Sequence, residues 1–162
     1  MEDKMNRMME KESNYVKPPN YLNSAETSLV VIGIRKDGII EMRFNQNHYI
    51  VNKKDQLEIH DAFMRLTDNG RAPYHILVIP GLYGTVTKEA MRIEIFEKEA
   101  YQNQLSMSIV THGITQMILG RLFFILKKTK PKFPTNLFSS EEAAVKSILN
   151  DKNIDGKNPA PL

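Results

Sequence analysis

Two short stretches rich in β-branched residues predict a β-hairpin near the start of the folded chain. They are residues 28–34 and residues 39–44. Between them, Asp37 and Gly38 supply a turn, because an Asp-Gly pair tolerates the positive φ that tight hairpin turns require. We therefore expect two antiparallel strands within residues 28–44.

Apolar positions then recur with a helical period. Beyond Asn52, whose side chain can cap a helix, they follow the i, i+3, i+4, i+7 pattern of an amphipathic helix. Asn69 and Gly70 tolerate the left-handed backbone that ends many helices. The predicted buried stripe of this helix consists of Ile59, Ala62, Phe63 and Leu66.

The next apolar run is continuous rather than periodic. Residues 76–79 contain no polar side chain and are closed by Pro80. Continuous runs suit strands that are covered on both faces, so this strand is predicted to lie at the centre of a sheet. Residues 105–110 and 134–138 are predicted to form two further strands.

Three more helices are predicted around these strands. Residues 87–102 are charged, and residues 114–128 carry a broad apolar face. The last helix is predicted to begin after Ser139, because Ser139 and Glu142 have the spacing of a capping box.

The strands and helices alternate in the order β-β-α-β-α-β-α-β-α. This order predicts an α/β fold with a mixed sheet of four to five strands and with helices mainly on one face. Residues 1–25 are predicted to be a flexible arm, residues 26–150 the domain, and residues 151–162 a flexible tail.

Three stretches carry a resemblance to a known family: the strand at residues 76–79 leading into Thr87-Lys-Glu-Ala, residues 120–127, and residues 131–138 with the helix that follows. They resemble the bacterial STAS-like domains, also called SpoIIAA-like, which are related to anti-sigma-factor antagonists. The resemblance runs from residue 52 to residue 149. It implies a STAS-like α/β fold and a regulatory role.

Anti-sigma-factor antagonists carry a phosphorylatable serine after an aspartate, in the loop that follows the central strand. Residues 80–89 contain no Asp-Ser pair here, and Thr85 and Thr87 are the hydroxyls best placed to substitute. Capping of the next helix is the simpler interpretation of Thr87.

Composition narrows the class of protein further. The 162 residues suit one domain, and the sequence has no cysteine, which excludes disulfides and thiolate chemistry and is typical of a reducing compartment. Glu2 and Asp3 stand where a secretion signal would be positively charged. The longest apolar stretch, residues 114–126, is too short to span a bilayer. We expect a cytoplasmic protein that is not an integral membrane protein.

The formal net charge of +3 comes largely from a short basic patch. Its lysines either complement the negative end of the preceding helix or bind phosphate or anionic lipid. Nucleic acid is not expected as a partner, because nucleic-acid surfaces are usually more basic. The patch consists of Lys127, Lys128, Lys130 and Lys132.

Polar side chains follow two predicted parallel strands. Tyr83, Thr85 and Thr87 follow the strand at residues 76–79, and Thr111 and His112 follow the next one. The carboxyl ends of parallel strands meet at one edge of a sheet, so we expect these residues to form a shallow site for a ligand or a phosphoryl group. A solvated loop residue is the alternative for His112.

The remaining motifs do not indicate catalysis. The four histidines lack metal-ligand spacing, and no Gly-x-Ser-x-Gly or phosphate-binding glycine signature occurs. We expect no enzyme activity, cofactor or metal. The expected function is that of a non-catalytic regulatory or protein-interaction module with an unidentified protein partner. The alternative is a small-molecule or lipid-binding protein with a pocket between sheet and helices, which Phe123 and Phe124 beside the lysines favour.

The predicted hairpin leaves a strand at a sheet edge, and an unpaired edge can pair with another chain. We therefore expect a homodimer, with the hairpin charges Arg35, Lys36, Glu41 and Arg43 limiting open-ended stacking. The alternative is a monomer whose N-terminal arm covers its own edge strand.

Overall fold

A mixed sheet of six strands forms the centre of the fold. The computed structural model describes residues 20–92, 101–113 and 133–155. One sheet has its strands in the spatial order β1-β2-β3-β5-β7-β8, and β4 pairs with β6 in a second sheet. In chain order the elements are β1 (Asn23–Glu26), β2 (Val30–Ile34), β3 (Ile40–Phe44), β4 (His48–Val51), α1 (Lys53–Leu66), β5 (Tyr74–Ile79), β6 (Tyr83–Val86), α2 (Lys88–Met91), β7 (Gln104–Val110), β8 (Thr135–Phe138) and α3 (Glu141–Asp155).

The α/β class and the mixed sheet predicted from the sequence are confirmed. Strands β1, β2 and β3 are antiparallel neighbours, whereas β3, β5, β7 and β8 run parallel. The predicted number of four to five strands is wrong, because β1 is a sixth strand of the main sheet and the unpredicted strands β4 and β6 form a second sheet. The described elements follow the order β-β-β-β-α-β-β-α-β-β-α. Strand β1 is largely polar and exposed, so no apolar run marks it.

The hairpin and the central strand lie where the sequence predicts them. Strands β2 and β3 pair in register across a turn in which Gly38 has a φ of +76°. Strand β5 lies between β3 and β7 in the interior of the sheet. The crossover from β3 to β5 carries α1, as expected for a parallel connection.

Helices α1 and α3 pack on opposite faces of the sheet. Side chains alternate along β5, so that Ile76 and Val78 share an apolar core with α1, whereas Leu77 and Ile79 share a second core with α3. The prediction that the helices lie mainly on one face of the sheet is therefore wrong, because α1 and α3 cover different faces. Coverage on both faces explains why the β5 sequence is continuously apolar.

The N-terminus of α1 is fixed by a reciprocal capping box. The Asn52 side chain accepts a hydrogen bond from the Asp55 amide at 3.0 Å, and the Asp55 carboxylate accepts one from the Asn52 amide at 2.9 Å. The helix ends at Leu66, and the chain then turns through positive φ angles at Asp68 and Asn69. Asn52 therefore acts as the predicted cap.

The cap of α3 lies one residue later than predicted. Ser140 Oγ accepts a hydrogen bond from the Ala143 amide at 3.2 Å, and the helix begins at Glu141. Ser139 is therefore not the cap, and the predicted pairing of Ser139 with Glu142 is wrong. Both glutamates of the first turn still face the positive end of the helix dipole.

Replacing Ser140 with alanine is expected to lower the free energy of unfolding by about 1 kcal/mol, because the Ala143 amide loses its acceptor. Ser139→Ala is the matched control and should change it by less than about 0.5 kcal/mol. Urea denaturation of both variants measures the difference. Equal midpoints for the two variants would contradict the assignment of the cap.

Glu41 is fully buried beneath charged partners on the α3 face of the sheet. Its Oε1 accepts hydrogen bonds from the Tyr21 hydroxyl at 2.7 Å and from Arg43 Nε at 2.8 Å, and its Oε2 accepts one from Arg35 Nη1 at 3.0 Å. The two arginines also contact Glu141, at 3.0 Å from Arg43 and 3.5 Å from Arg35. This charged cluster joins the β2–β3 hairpin to the first turn of α3. The interpretation of Arg35, Glu41 and Arg43 as guards of a sheet edge is wrong, because β2 and β3 both lie inside the sheet.

Described secondary structure continues into both segments that the sequence predicts to be flexible ends. Strand β1 begins at Asn23, inside the predicted arm, and α3 continues to Asp155, inside the predicted tail. Of the charged helix predicted at residues 87–102, residues 87–92 and 101–102 are described, and only the single turn of α2 is helical among residues 87–92. The helix predicted at residues 114–128, the basic patch and most of the arm lie outside the described residues.

Candidate functional site

Strands β4 and β6 form a parallel two-stranded ribbon that follows the carboxyl ends of β3 and β5. Three residues, 45–47 and 80–82, separate each ribbon strand from the strand before it. The Tyr83 amide donates to the Asn47 carbonyl at 2.8 Å, and the Thr87 amide donates to the Val51 carbonyl at 3.0 Å. The ribbon is thus hydrogen-bonded along its whole length.

The inner face of the ribbon is packed around Tyr49. Its ring stacks on Phe44 with a centroid separation of 4.3 Å and lies directly over Gly84, where a Cβ would overlap it. Burial raises the pKa of Tyr49 to about 12, although a hydrogen bond from the Gly81 backbone lowers it. These contacts hold the ribbon against the main sheet.

The outer face of the ribbon is exposed and carries two large hydrophobic side chains, Ile50 and Tyr83. His48, Ile50, Tyr83 and Thr85 alternate onto this face, with His48 opposite Tyr83 and Ile50 opposite Thr85. The rings of His48 and Tyr83 stack at 4.6 Å. Tyr83 is 64% exposed and Ile50 62%, and Leu82 beside them is 43% exposed. We call these four alternating residues the ribbon face.

The structure brings two of the predicted site residues together and assigns other roles to the next two. Tyr83 and Thr85 lie side by side on the ribbon face. Thr87 caps α2, its hydroxyl accepting from the Ala90 amide at 3.2 Å, which agrees with the simpler interpretation. Thr111 is buried, and its hydroxyl donates to the Phe138 carbonyl at 3.1 Å, so it joins β7 to β8.

His112 contacts the segment that leads into the ribbon. Its Nε2 lies 2.9 Å from the Pro80 carbonyl oxygen. Because a carbonyl oxygen only accepts, this nitrogen must be the donor and carry the proton. His112 therefore supports the turn at residues 80–82 from the end of β7.

The basic patch, the other predicted binding feature, falls outside the described residues.

His48 and Ile50 are the ribbon-face residues that the sequence interpretation missed. The stretch His48-Tyr-Ile-Val51 has strand-forming residues, and its exposure alternates in the structure. A period-two pattern over four residues was the available signal, but it is shorter than most strands.

Two histidines outside the ribbon form hydrogen bonds with buried side chains. His75 Nδ1 lies 2.7 Å from Ser106 Oγ, with the two residues only 4% and 5% exposed. His60 Nδ1 lies 2.9 Å from the Tyr101 hydroxyl in the core beside α1. Such hydrogen bonds satisfy polar groups that would be costly to bury alone.

A shallow cleft of about 580 Å³ lies between the end of β2 and the flank of α3. Lys152, near the end of α3, spans the adjoining turn, its Nζ donating to the Asp37 carbonyl at 2.7 Å. Burial lowers the pKa of Lys152. The cleft is lined by Arg35, Glu141, Glu142, Val145, Lys146, Leu149 and Asn150.

Comparison with family models, curated proteins and solved structures found no match for this chain. The STAS-like resemblance stays a prediction. Within the described ranges, no helix is both long and apolar enough to cross a bilayer. In those same ranges, no group of three or more histidine, aspartate or glutamate residues could hold a metal ion.

The fold is expected to lose stability as the pH rises from about 10 towards 12. Burial raises the pKa of several tyrosines above the value of 10 that unfolded tyrosine has, so the folded chain holds protons that the unfolded chain releases. The protonated tyrosines contribute their full stabilisation of the fold below pH 10. This contribution is lost as the pH rises through the pKa that the tyrosines have in the folded chain. The tyrosines are Tyr21, Tyr49, Tyr74 and Tyr101.

Urea midpoints at about pH 8 and about pH 11 measure this loss. Tyr49→Phe should show a smaller decrease than the unchanged chain, since one of the raised groups is removed. Identical midpoints at both pH values would contradict the prediction.

Proposed function

We propose that this protein is a non-catalytic protein-interaction module that binds a partner protein on the ribbon face. The observation that carries the proposal is the exposure of Ile50 and Tyr83 on a ribbon that is rigidly packed underneath. Contiguous exposed apolar side chains on a soluble domain commonly mark an interaction site. Tyrosine is among the residues that contribute most to binding energy at such sites.

The construction of the ribbon supports this role. Tyr49, Phe44 and Gly84 fix its inner face, so Tyr83 is presented without a large loss of conformational freedom on binding. The stacking of His48 on Tyr83 further restricts the tyrosine ring. A preorganised aromatic side chain is what a docking surface needs.

The STAS-like resemblance agrees with a regulatory protein partner. The proposal does not include a serine phosphoswitch, because residues 80–89 lack the Asp-Ser pair and Thr87 serves as a helix cap. Thr85 is the exposed threonine of this region and lies on the ribbon face itself. Partner binding therefore rests on the apolar side chains and not on a phosphate.

Photo-crosslinking in cells tests the proposal. A photoreactive phenylalanine at position 83 should give one dominant crosslinked protein, and the additional change Ile50→Ser should reduce that product by about tenfold or more. Leu22→Ser is the matched control, because Leu22 is 67% exposed but lies outside the ribbon. It should leave the crosslink unchanged. A product of equal intensity with Ile50→Ser would contradict the proposal.

A second candidate function, binding of a small molecule or lipid, is favoured by the cleft beside α3. Its wall combines the apolar Val145 and Leu149 with the cation Lys146. Native mass spectrometry of the purified protein should then show a retained ligand that Lys146→Glu reduces. A spectrum of bare protein would exclude a tightly held ligand.

A further inference from the structure

We propose that the partner contributes a short extended peptide segment that adds as a third strand to the outer edge of β4, which no described strand pairs. This inference rests on the proposed function and specifies how the ribbon binds its partner. Among the described residues, β4 pairs only with β6. Strand addition to an open sheet edge is a recurring way to bind extended peptides.

The hydrogen bonds of the ribbon show which backbone groups of β4 are turned outward. In a parallel pair, alternate residues of each strand bond to the partner. The bonds to the Asn47 and Val51 carbonyls, with the register of the pair, place the backbone groups of Tyr49 and Val51 towards β6. The amide and carbonyl groups of His48 and Ile50 therefore point away from β6, along the outer edge of β4.

The arrangement of the described strands around β4 is the second observation. The neighbour of β3 on that side is β2, and the β1–β2 hairpin closes in a turn where the Thr27 amide donates to the Val30 carbonyl. The Asn45 amide donates to the Leu29 carbonyl at 3.0 Å, just beyond the end of β3. No described strand extends past this turn to cover β4. On the other side of the ribbon, His112 contacts Pro80, in the turn that precedes β6.

The size of the ribbon face favours a peptide segment over a large folded surface. Stable interfaces between folded proteins use about 20–30 residues on each side, whereas the ribbon face has four. Backbone hydrogen bonds along β4 would supplement so small an apolar contact. Alternate side chains of an added strand lie on the same face as Ile50, so the expected segment carries apolar residues at every second position.

A displayed library of random peptides of about ten residues provides the probe. Peptides are selected on the full chain and counter-selected on the double variant with Ile50→Ser and Tyr83→Ala. Amide hydrogen exchange is then measured by NMR with and without a selected peptide. We expect the His48 and Ile50 amides to gain about tenfold or greater protection, while the Tyr49 and Val51 amides, already bonded to β6, change little.

Ile50→Pro provides a second measurement, because proline removes the outward amide of Ile50 and no bond of the ribbon. It should weaken peptide binding by about tenfold or more, whereas Ile50→Val, which keeps the amide, should weaken it far less. Urea denaturation checks that the proline variant is folded. The exchange measurement decides the question if it is not.

The outcomes separate this inference from the proposed function. Peptides that need Ile50 and Tyr83 but leave the His48 and Ile50 amides unprotected would overturn strand addition and leave docking on the ribbon face intact. Failure to select any peptide that depends on these side chains would overturn both. Protection of the same two amides in the free protein, rising with protein concentration, would identify a second copy of the chain as the occupant and overturn the peptide assignment.

Discussion

Replacing Glu41 with alanine is expected to lower the free energy of unfolding by about 3–5 kcal/mol, the usual cost of removing one partner from a buried ion pair. The side chains of Arg35 and Arg43 are only 19% and 11% exposed. Burial lowers the pKa of both arginines, but hydrogen bonds and attraction from neighbouring carboxylates raise it by more, so both stay charged. Without Glu41, two guanidinium groups and the Tyr21 hydroxyl lose a common acceptor.

The midpoint of urea denaturation measures this effect. Glu58→Ala is the control, because Glu58 pairs with Lys54 at 3.8 Å and both side chains are exposed. Its loss should change the free energy of unfolding by less than about 0.5 kcal/mol. A Glu41→Ala midpoint close to that of Glu58→Ala would show that the charged cluster does not stabilise the fold.

Replacing Gly81 with alanine is expected to lower the free energy of unfolding by about 1–3 kcal/mol and to displace the ribbon. A Cβ at position 81 would overlap the Gln46 carbonyl oxygen and crowd Asn47. These are backbone atoms of the segment that joins β3 to β4, so they cannot move aside as a side-chain end can. The turn at residues 80–82 would have to shift away from β4 and take the start of β6 with it.

Two readouts check this expectation. The urea midpoint should fall, and NMR shifts of Tyr49 and Tyr83 should change, because both rings depend on the spacing between β4 and β6. Leu82→Ala, an adjacent change on an exposed side chain, should leave the Tyr49 shifts nearly unchanged. A Gly81→Ala spectrum that matches the unchanged chain at Tyr49 would contradict the close approach.

Elements with strong local signals could be predicted from the sequence. The Asp37-Gly38 turn, the Asn52 cap and the apolar run of β5 each depend on neighbouring residues only, and the structure has all three. The α3 cap illustrates the limit of such signals, since Ser139 and Ser140 are equally suitable by type and only the helix start distinguishes them. Strands β4 and β6 need each other as partners, and pairing between distant segments leaves little local trace.

Whether a charged residue is buried or exposed depends on tertiary contacts. Glu41 alternates with apolar neighbours and has the pattern of a solvated edge residue, but it is buried because Arg35, Arg43 and Tyr21 converge on it. For the candidate site, the rule that parallel strands end at one edge selected Tyr83 and Thr85, but it did not predict their pairing with β4. It could not show that Thr111 would be buried against Phe138.

The contact between Arg43 and Glu141 joins residues 98 positions apart in the chain. A protein emerges from the ribosome from its N-terminus, so the hairpin and β5 are complete while Glu141 has still to be synthesised. Until then Arg43 has only Glu41 as its carboxylate partner within the charged cluster. Helix α3 thus supplies a counter-charge for the β2–β3 hairpin, and the native arrangement of the charged cluster can close only after residue 141 has been synthesised.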